Sequence, residues 1–174
     1  MTTPAERFLE QSARYLRDDY VPRIASCLEQ LAEDDVWWRP NEASNSIGNL
    51  VLHLVGNARQ WIVHGVGGAP DVRRRQEEFD RREAIPKAEL LERLRATVAE
   101  AAAVIGRVAP DQLLQPRVIQ SYETTVQGAV YHVVEHFSMH TGQIILLAKA
   151  RTGRDLGFYV MQDGNPKPAW QPEA

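Results

Sequence analysis

Apolar side chains recur along this chain at spacings of three and four, the period of a helix that buries one face. Four segments carry the pattern. The first spans about Pro4 to Ala32, through Phe8, Ala13, Tyr15, Leu16, Tyr20, Ile24, Leu28 and Leu31. Pro4 suits a first helical turn, whereas Pro22, which has no N–H to donate, predicts a kink or break inside the segment. The second covers roughly Ile47 to His64, with Ser44, Asn45 or Ser46 available as its cap. Gly65-Val66-Gly67-Gly68-Ala69-Pro70 stops it, and a linker follows to Ile85. The third opens at Pro86 and reaches about Val108 on Leu90, Leu91, Leu94, Val98, Ala101 and Ile105. The fourth starts at Thr124 or Thr125, runs through Val126, Val130, Val133, Phe137, Ile144 and Leu147 to Ala150, and stops at Gly153. The tail from Asp155 to Ala174 reads as irregular. Arg117-Val118-Ile119 and Phe158-Tyr159-Val160-Met161 are short strands at best. Four long helices in 174 residues predict one all-α domain over 1–174, a helical bundle with ligand sites built inward from facing helices.

Composition narrows the function classes. With 20 basic and 23 acidic side chains the net charge is −3, so there is no basic excess of the kind a nucleic-acid surface needs. The densest charged stretch, Arg73 to Glu83, mixes both signs and reads as a solvated surface. No segment approaches the run of about 20 apolar residues that spans a bilayer, and Met1 to Arg7 does not resemble a secretory signal. A cytoplasmic protein without membrane or nucleic-acid partners is expected. Cys27, the only cysteine, excludes an intramolecular disulfide. Its place among Ile24, Leu28 and Leu31 predicts a buried structural thiol.

The candidate chemistry lies in five histidines: His53, His64, His132, His136 and His140. Helix residues four apart stack with Cβ atoms about 5–6 Å apart, so two imidazoles at that spacing can reach one ion. His132 and His136, with Glu135, spell the inverted zinc-protease pattern H-x-x-E-H. That reading needs a downstream glutamate ligand, and the only one is Glu173 in the tail. His136 and His140 form the second pair, and His53 completes it from an apolar stretch where an unsatisfied imidazole would be costly. For His132 there are three readings, lining the site, supporting a ligand histidine or lying on the helix flank, and the flank is favoured. His64 has a simpler explanation, because a histidine near a helix C-terminus suits the dipole.

Asn45-Ser46-Ile47-Gly48-Asn49-Leu50-Val51-Leu52-His53-Leu54 with Asn57 and Trp61, Trp37-Trp38-Arg39-Pro40, and His136-x-x-x-His140-Thr141-Gly142-Gln143-Ile144 together resemble the DinB/YfiT-like superfamily over nearly the whole chain. The resemblance implies a four-helix bundle of up-down-down-up topology, with a long crossover between helices two and three. It also implies a metal site on His53, His136 and His140, usually in a homodimer. Some relatives use bacillithiol or mycothiol as S-transferases or isomerases, and others have no known activity.

Three imidazoles leave a coordination position open, the mark of a catalytic rather than a closed site, and suit Zn, Ni or Fe. Such an ion acidifies a water or a thiol, which makes a thiol-dependent S-transferase or a hydrolase acting on a small molecule the first expectation. Glu135, beside His136, is the candidate base. A metal-binding bundle without catalysis, in a stress-response or binding role, and a structural protein with core histidines are the alternatives.

Overall fold

Thr3 opens the first helix with a reciprocal cap. Its hydroxyl accepts from the Glu6 N–H, and the Glu6 carboxylate accepts from the Thr3 N–H. The computed structural model describes residues 1–170. Helix α1 (Pro4–Arg14) passes through a π-helical turn (Tyr15–Tyr20) into α2 (Val21–Gln30) without a break. The π turn is how the chain accommodates Pro22. Val21 N–H donates five residues back to Leu16 C=O, and Pro22 takes an early position in α2, where a missing N–H costs little. The expected kink is thus a local widening. The rod also ends at Gln30, and a separate short turn, α3 (Glu33–Val36), occupies the positions that follow.

Ser46 is the cap of α4 (Ile47–Ala58), which continues through a second π-helical turn (Arg59–His64) to the expected end. The segment that follows contains one short helix, α5 (Arg75–Asp80), ahead of α6 (Lys87–Ile105). The hairpin of β1 (Pro116–Ile119) and β2 (Tyr122–Thr125) turns at Gln120 and Ser121, which have φ of 52° and 66°. It leads directly into α7 (Val126–Thr152), whose N-terminus is capped by the Thr125 hydroxyl accepting from Gly128 N–H. α7 ends on Gly153 in the left-handed region at φ 65°.

The tail is not irregular throughout. β3 (Tyr159–Gln162) pairs antiparallel with β4 (Asn165–Pro168) around Asp163-Gly164, both at positive φ, a dipeptide that favours this two-residue turn. Trp170 anchors the hairpin, donating from Nε1 to Asp19 Oδ1 at 3.1 Å under the Arg23 guanidinium.

The molecule is therefore mostly helical with two small antiparallel sheets. The α1–α2 rod and α4 each pack on both α6 and α7. Their apolar faces merge into one core, including Leu16, Ile24, Leu54, Leu94, Phe137 and Ile144, each almost fully removed from water. Cys27 is buried in it as expected, and burial pushes its thiol up to about 12. Among the described residues, no helix is long and apolar enough to cross a membrane.

The cap of α7 sets the start of the helix that carries three of the histidines. Thr125→Ala should lower stability by about 1 kcal/mol, read from urea unfolding.

Candidate metal centre

His53 enters the core from the middle of α4, and His136 and His140 face it from successive turns of α7. One ring nitrogen of each can be chosen so that all three lie within 4.8 Å of one another. His136 Nε2 stands 2.8 Å from His53 Nε2, a separation at which the two nitrogens share one proton or one cation. His53 and His140 are buried and His136 is half-buried.

Neighbouring side chains fix two of the tautomers. His53 Nδ1 lies 2.9 Å from Glu78 Oε2. An ionised carboxylate only accepts, so Nδ1 carries the proton and Nε2 presents its lone pair to the cluster. Arg73 Nη2 lies 3.1 Å from the same Nδ1, but it donates to Glu78 Oε2 at 2.8 Å, and a protonated ring nitrogen accepts nothing. On α7, His140 Nδ1 lies 2.7 Å from Gln143 Oε1. With that proton donated to the amide oxygen, the lone pair is on His140 Nε2, which is buried and has no hydrogen-bond partner among the described residues. Lone pairs turned inward, one of them buried and unpartnered, fit a divalent cation, and a carboxylate on the far nitrogen of a ligand histidine is the usual support for one.

Burial lowers all three α7 imidazoles. His136 falls to about 3, with the charges of His140 and His53 adding to desolvation. His140 is also lowered, its hydrogen bond to Gln143 opposing the effect, and His132 is lowered with Glu135 opposing. These rings stay neutral, the form that ligates metal. For Glu78, burial alone would raise the carboxyl, but hydrogen bonds and charge from Arg73 and His53 outweigh it and hold it below its ordinary value.

Arg73 and Glu78 belong to the mixed-charge run expected to be solvated. That expectation holds for Arg74, Arg75, Glu77, Arg81 and Arg82, which are exposed, and fails for these two. The Arg73 side chain is 3% exposed and that of Glu78 11%. They form a two-pronged ion pair, Nε to Oε1 at 2.7 Å and Nη2 to Oε2 at 2.8 Å, and Arg73 Nη1 also donates to Gln60 Oε1 at 2.9 Å. The pair sits against α4 where Gly56 leaves room; a Cβ there would collide with Glu78 Oε1. Asn49 fixes the backbone around Glu78. Its amide donates to the Glu78 carbonyl at 2.8 Å and the Arg81 carbonyl at 3.1 Å, while its oxygen accepts from Arg39. The signals in the sequence were Asn49 beside its cap and a glycine in mid-helix, where glycine costs about 1 kcal/mol relative to alanine.

The other candidates separate. His132 is not a plain flank residue: it is half-buried against Trp61, ring centroids 4.0 Å apart, with Asn57 Nδ2 3.2 Å from its Nε2. His64 lies outside the cluster and its Nδ1 is 2.6 Å from the Ala69 carbonyl. Glu135 is exposed on α7 and makes no hydrogen bond to the cluster among the described residues, so the carboxylate in contact with the histidines is Glu78. Glu173, the third ligand a protease reading would need, lies outside the described residues. A cavity of about 320 Å³ opens beside the cluster. α4 with its π-helical extension and α7 contribute His53, Asn57, Trp61, His132 and His136 to its wall, and Arg73, Arg75 of α5, Gln120 and Tyr122 form the rest.

Residues 4–163 match the family described as "Protein of unknown function (DUF1572)". The chain belongs to that family. The fold of this DUF1572 member is also similar to two solved structures. One is a DinB-like protein, YjoA, from Bacillus subtilis, at 16% identity and a TM-score of 0.62, covering 83% of this chain and 93% of that one. The other is a DinB-like protein from Bacillus cereus ATCC 10987, at 15% identity and a TM-score of 0.66, covering 90% and 97%. The resemblance to DinB-like proteins read from the motifs is thereby shown, and the identities carry it as far as the fold. No curated protein matches the chain.

Glu78→Gln, and Gly56→Ala by displacing it, should weaken divalent-metal affinity by about 10- to 100-fold. Glu135→Gln should leave it unchanged. Competition with a chromophoric chelator measures all three. The lowered imidazoles also give the metal-free protein a pH signature. His136 takes a proton at about 3 in the folded chain and at about 6.5 in the unfolded chain. Between those values the unfolded state binds the proton and the folded site refuses it, so stability is full above the upper value and falls as pH drops. The urea midpoint should decrease from pH 7.5 to pH 5.5, and His136→Leu should flatten the slope.

Proposed function

We propose that this protein is a metal-dependent enzyme that holds one divalent ion, Zn, Ni or Fe, on His53, His136 and His140 and acts on a small molecule in the adjoining cavity. The observation that carries the reading is the buried, unpartnered Nε2 of His140, aimed by Gln143 at the nitrogens of His53 and His136. An ion bound there would supply Lewis acidity, favouring the ionised form of a thiol or a water. This is the chemistry of a thiol-dependent S-transferase or a hydrolase.

The chain's own residues prepare the site. Glu78 holds the His53 proton on Nδ1, and Arg73 keeps Glu78 ionised. Gln143 holds the His140 proton on the side away from the cluster. Burial keeps His136 neutral, so no proton competes for its ring near pH 7. Trp61 and His132 wall the cavity and limit the water beside the cluster. The cavity also favours catalysis over a closed, non-catalytic metal site, because it gives a substrate access to His53 and His136.

The wider architecture belongs to the same reading. The four rods make an up-down-down-up four-helix bundle in a single domain, with the 65–85 segment as the crossover. The working form is a homodimer in the cytoplasm. Tyr131, Met139 and Leu146, exposed along one face of α7, are suited to meet a second copy, and Gly142 on that face has open space around it.

Elemental analysis of the purified protein should find about one divalent ion per chain, lost in His53→Ala and in His140→Ala. Thiol-transfer and ester-hydrolysis assays on the loaded protein then separate the two chemistries. Wild-type protein that takes up no Zn, Ni or Fe on incubation sinks the proposal.

A further inference from the structure

The electrostatics of the cavity beside the cluster point to the kind of molecule it takes. Among the described residues, none of the side chains that line it is a carboxylate. Arg73 reaches the wall, but its charge is neutralised by Glu78, and its Nε, Nη1 and Nη2 groups all donate to Glu78 or Gln60.

Arg75 is different. Among the described residues it forms no ion pair and no side-chain hydrogen bond. Its guanidinium instead lies 4.9 Å from the centroid of the Phe79 ring, one helical turn on, and that ring packs 4.7 Å from the His53 ring. The ring holds the guanidinium beside the cavity while its N–H groups have no protein partner among the described residues, which suits a planar anion.

The β1–β2 turn also reaches the cavity. Gln120 and Ser121 both occupy left-handed backbone conformations that side chains other than glycine, asparagine and aspartate rarely adopt. Gln120 and Tyr122 of this hairpin line the cavity together with Arg75 and the helical residues. Local strain of this kind persists where the surrounding structure enforces it, and it clusters at ligand sites. Tyr122 is largely exposed, so its ring is available to a ligand at the mouth.

We propose that the cavity takes a small molecule carrying an anionic arm, a carboxylate or phosphate, which Arg75 receives at the mouth while its uncharged body lies against Trp61 and His132 toward the histidine cluster. The inference rests on the metal-site reading for the far end of the ligand, and on Arg75 alone for the anionic end. The volume of about 320 Å³ is at the low end of small-molecule sites and admits a metabolite-sized ligand.

Two hydroxamates test it: acetohydroxamate, with an uncharged tail, and the monohydroxamate of succinate, with a carboxylate tail. Both are titrated calorimetrically into zinc-loaded protein whose zinc content is measured on the same sample. The carboxylate-tailed probe should bind wild type at least about tenfold more tightly than acetohydroxamate. Arg75→Gln should abolish that preference and leave acetohydroxamate unchanged. Arg74→Gln, an exposed neighbour already paired with Glu77, should change neither. Inorganic phosphate as a competitor separates the two anions: displacement of the carboxylate-tailed probe alone assigns the subsite to either group, and no displacement restricts it to carboxylates. Protein that holds zinc but binds both probes alike in wild type and Arg75→Gln overturns the anionic subsite and leaves the metal reading standing. Protein that holds no zinc, nickel or iron overturns the metal reading. The subsite is then read on the metal-free chain from the Trp61 indole N–H resonance: a shift with succinate, but not with uncharged succinamide, that Arg75→Gln removes supports it, and an equal response to both overturns it.

Discussion

Taking a guanidinium and a carboxylate out of water costs on the order of several kcal/mol per ion, recovered only when the geometry is good and the remaining hydrogen bonds are made. Arg73 and Glu78 meet that condition. Both prongs of the pair are made, Gln60 takes a further arginine donor, and His53 Nδ1 donates to the carboxylate. The pair ties the segment between α4 and α6 to α4 and orients His53. It also constrains the sequence around it. Gly56 is needed because any side chain there would occupy the space of the carboxylate, and Asn49 is needed because the backbone at Glu78 and Arg81 requires a donor.

The same physical demand recurs along the path from cap to cluster. Ser46 caps α4, and Asn49 both completes that cap and holds the backbone at Glu78. The α5 segment delivers Glu78 to His53, and His53 meets α7 through His136. Thr125 caps α7 directly after the β1–β2 hairpin, so the register of the histidines and the position of the hairpin are set by the same junction. A helix-terminus interaction worth about 1 kcal/mol thus helps to place both parts of the cavity wall.

The buried imidazoles show why a polar cluster can sit in an otherwise apolar core. Glu78 and Gln143 each fix a ring nitrogen as donor, and burial keeps the α7 rings uncharged. What remains is lone-pair density on inward nitrogens, which is what a cation requires and what a hydrophobic core would otherwise exclude.

Much of this was legible in the residues. The four helical segments follow from apolar spacing, and their ends from Pro4, a cap among Ser44 to Ser46, Thr124 or Thr125, and Gly153, because periodicity and capping act within one or two turns of chain. The four-residue spacing of His136 and His140, and the cost of His53 in an apolar stretch, nominate the cluster by the same local logic. Other features depend on groups far apart in sequence. A run of arginines and glutamates looks solvated until a glycine on another helix gives two of them a buried seat. His132 looks like a flank until Trp61 and Asn57 pack against it. Glu135 stands beside a ligand in sequence, yet Glu78, more than fifty positions earlier, makes the contact. The sequence by itself determined where the four long helical segments lie and nominated the histidines that could share an ion, since those depend on local period and chemistry. Only the tertiary structure decided which carboxylate supports them, which arginine of the cavity wall is left unpaired among the described residues and what else lines that wall, because burial and charge pairing are properties of the folded neighbourhood and not of the chain.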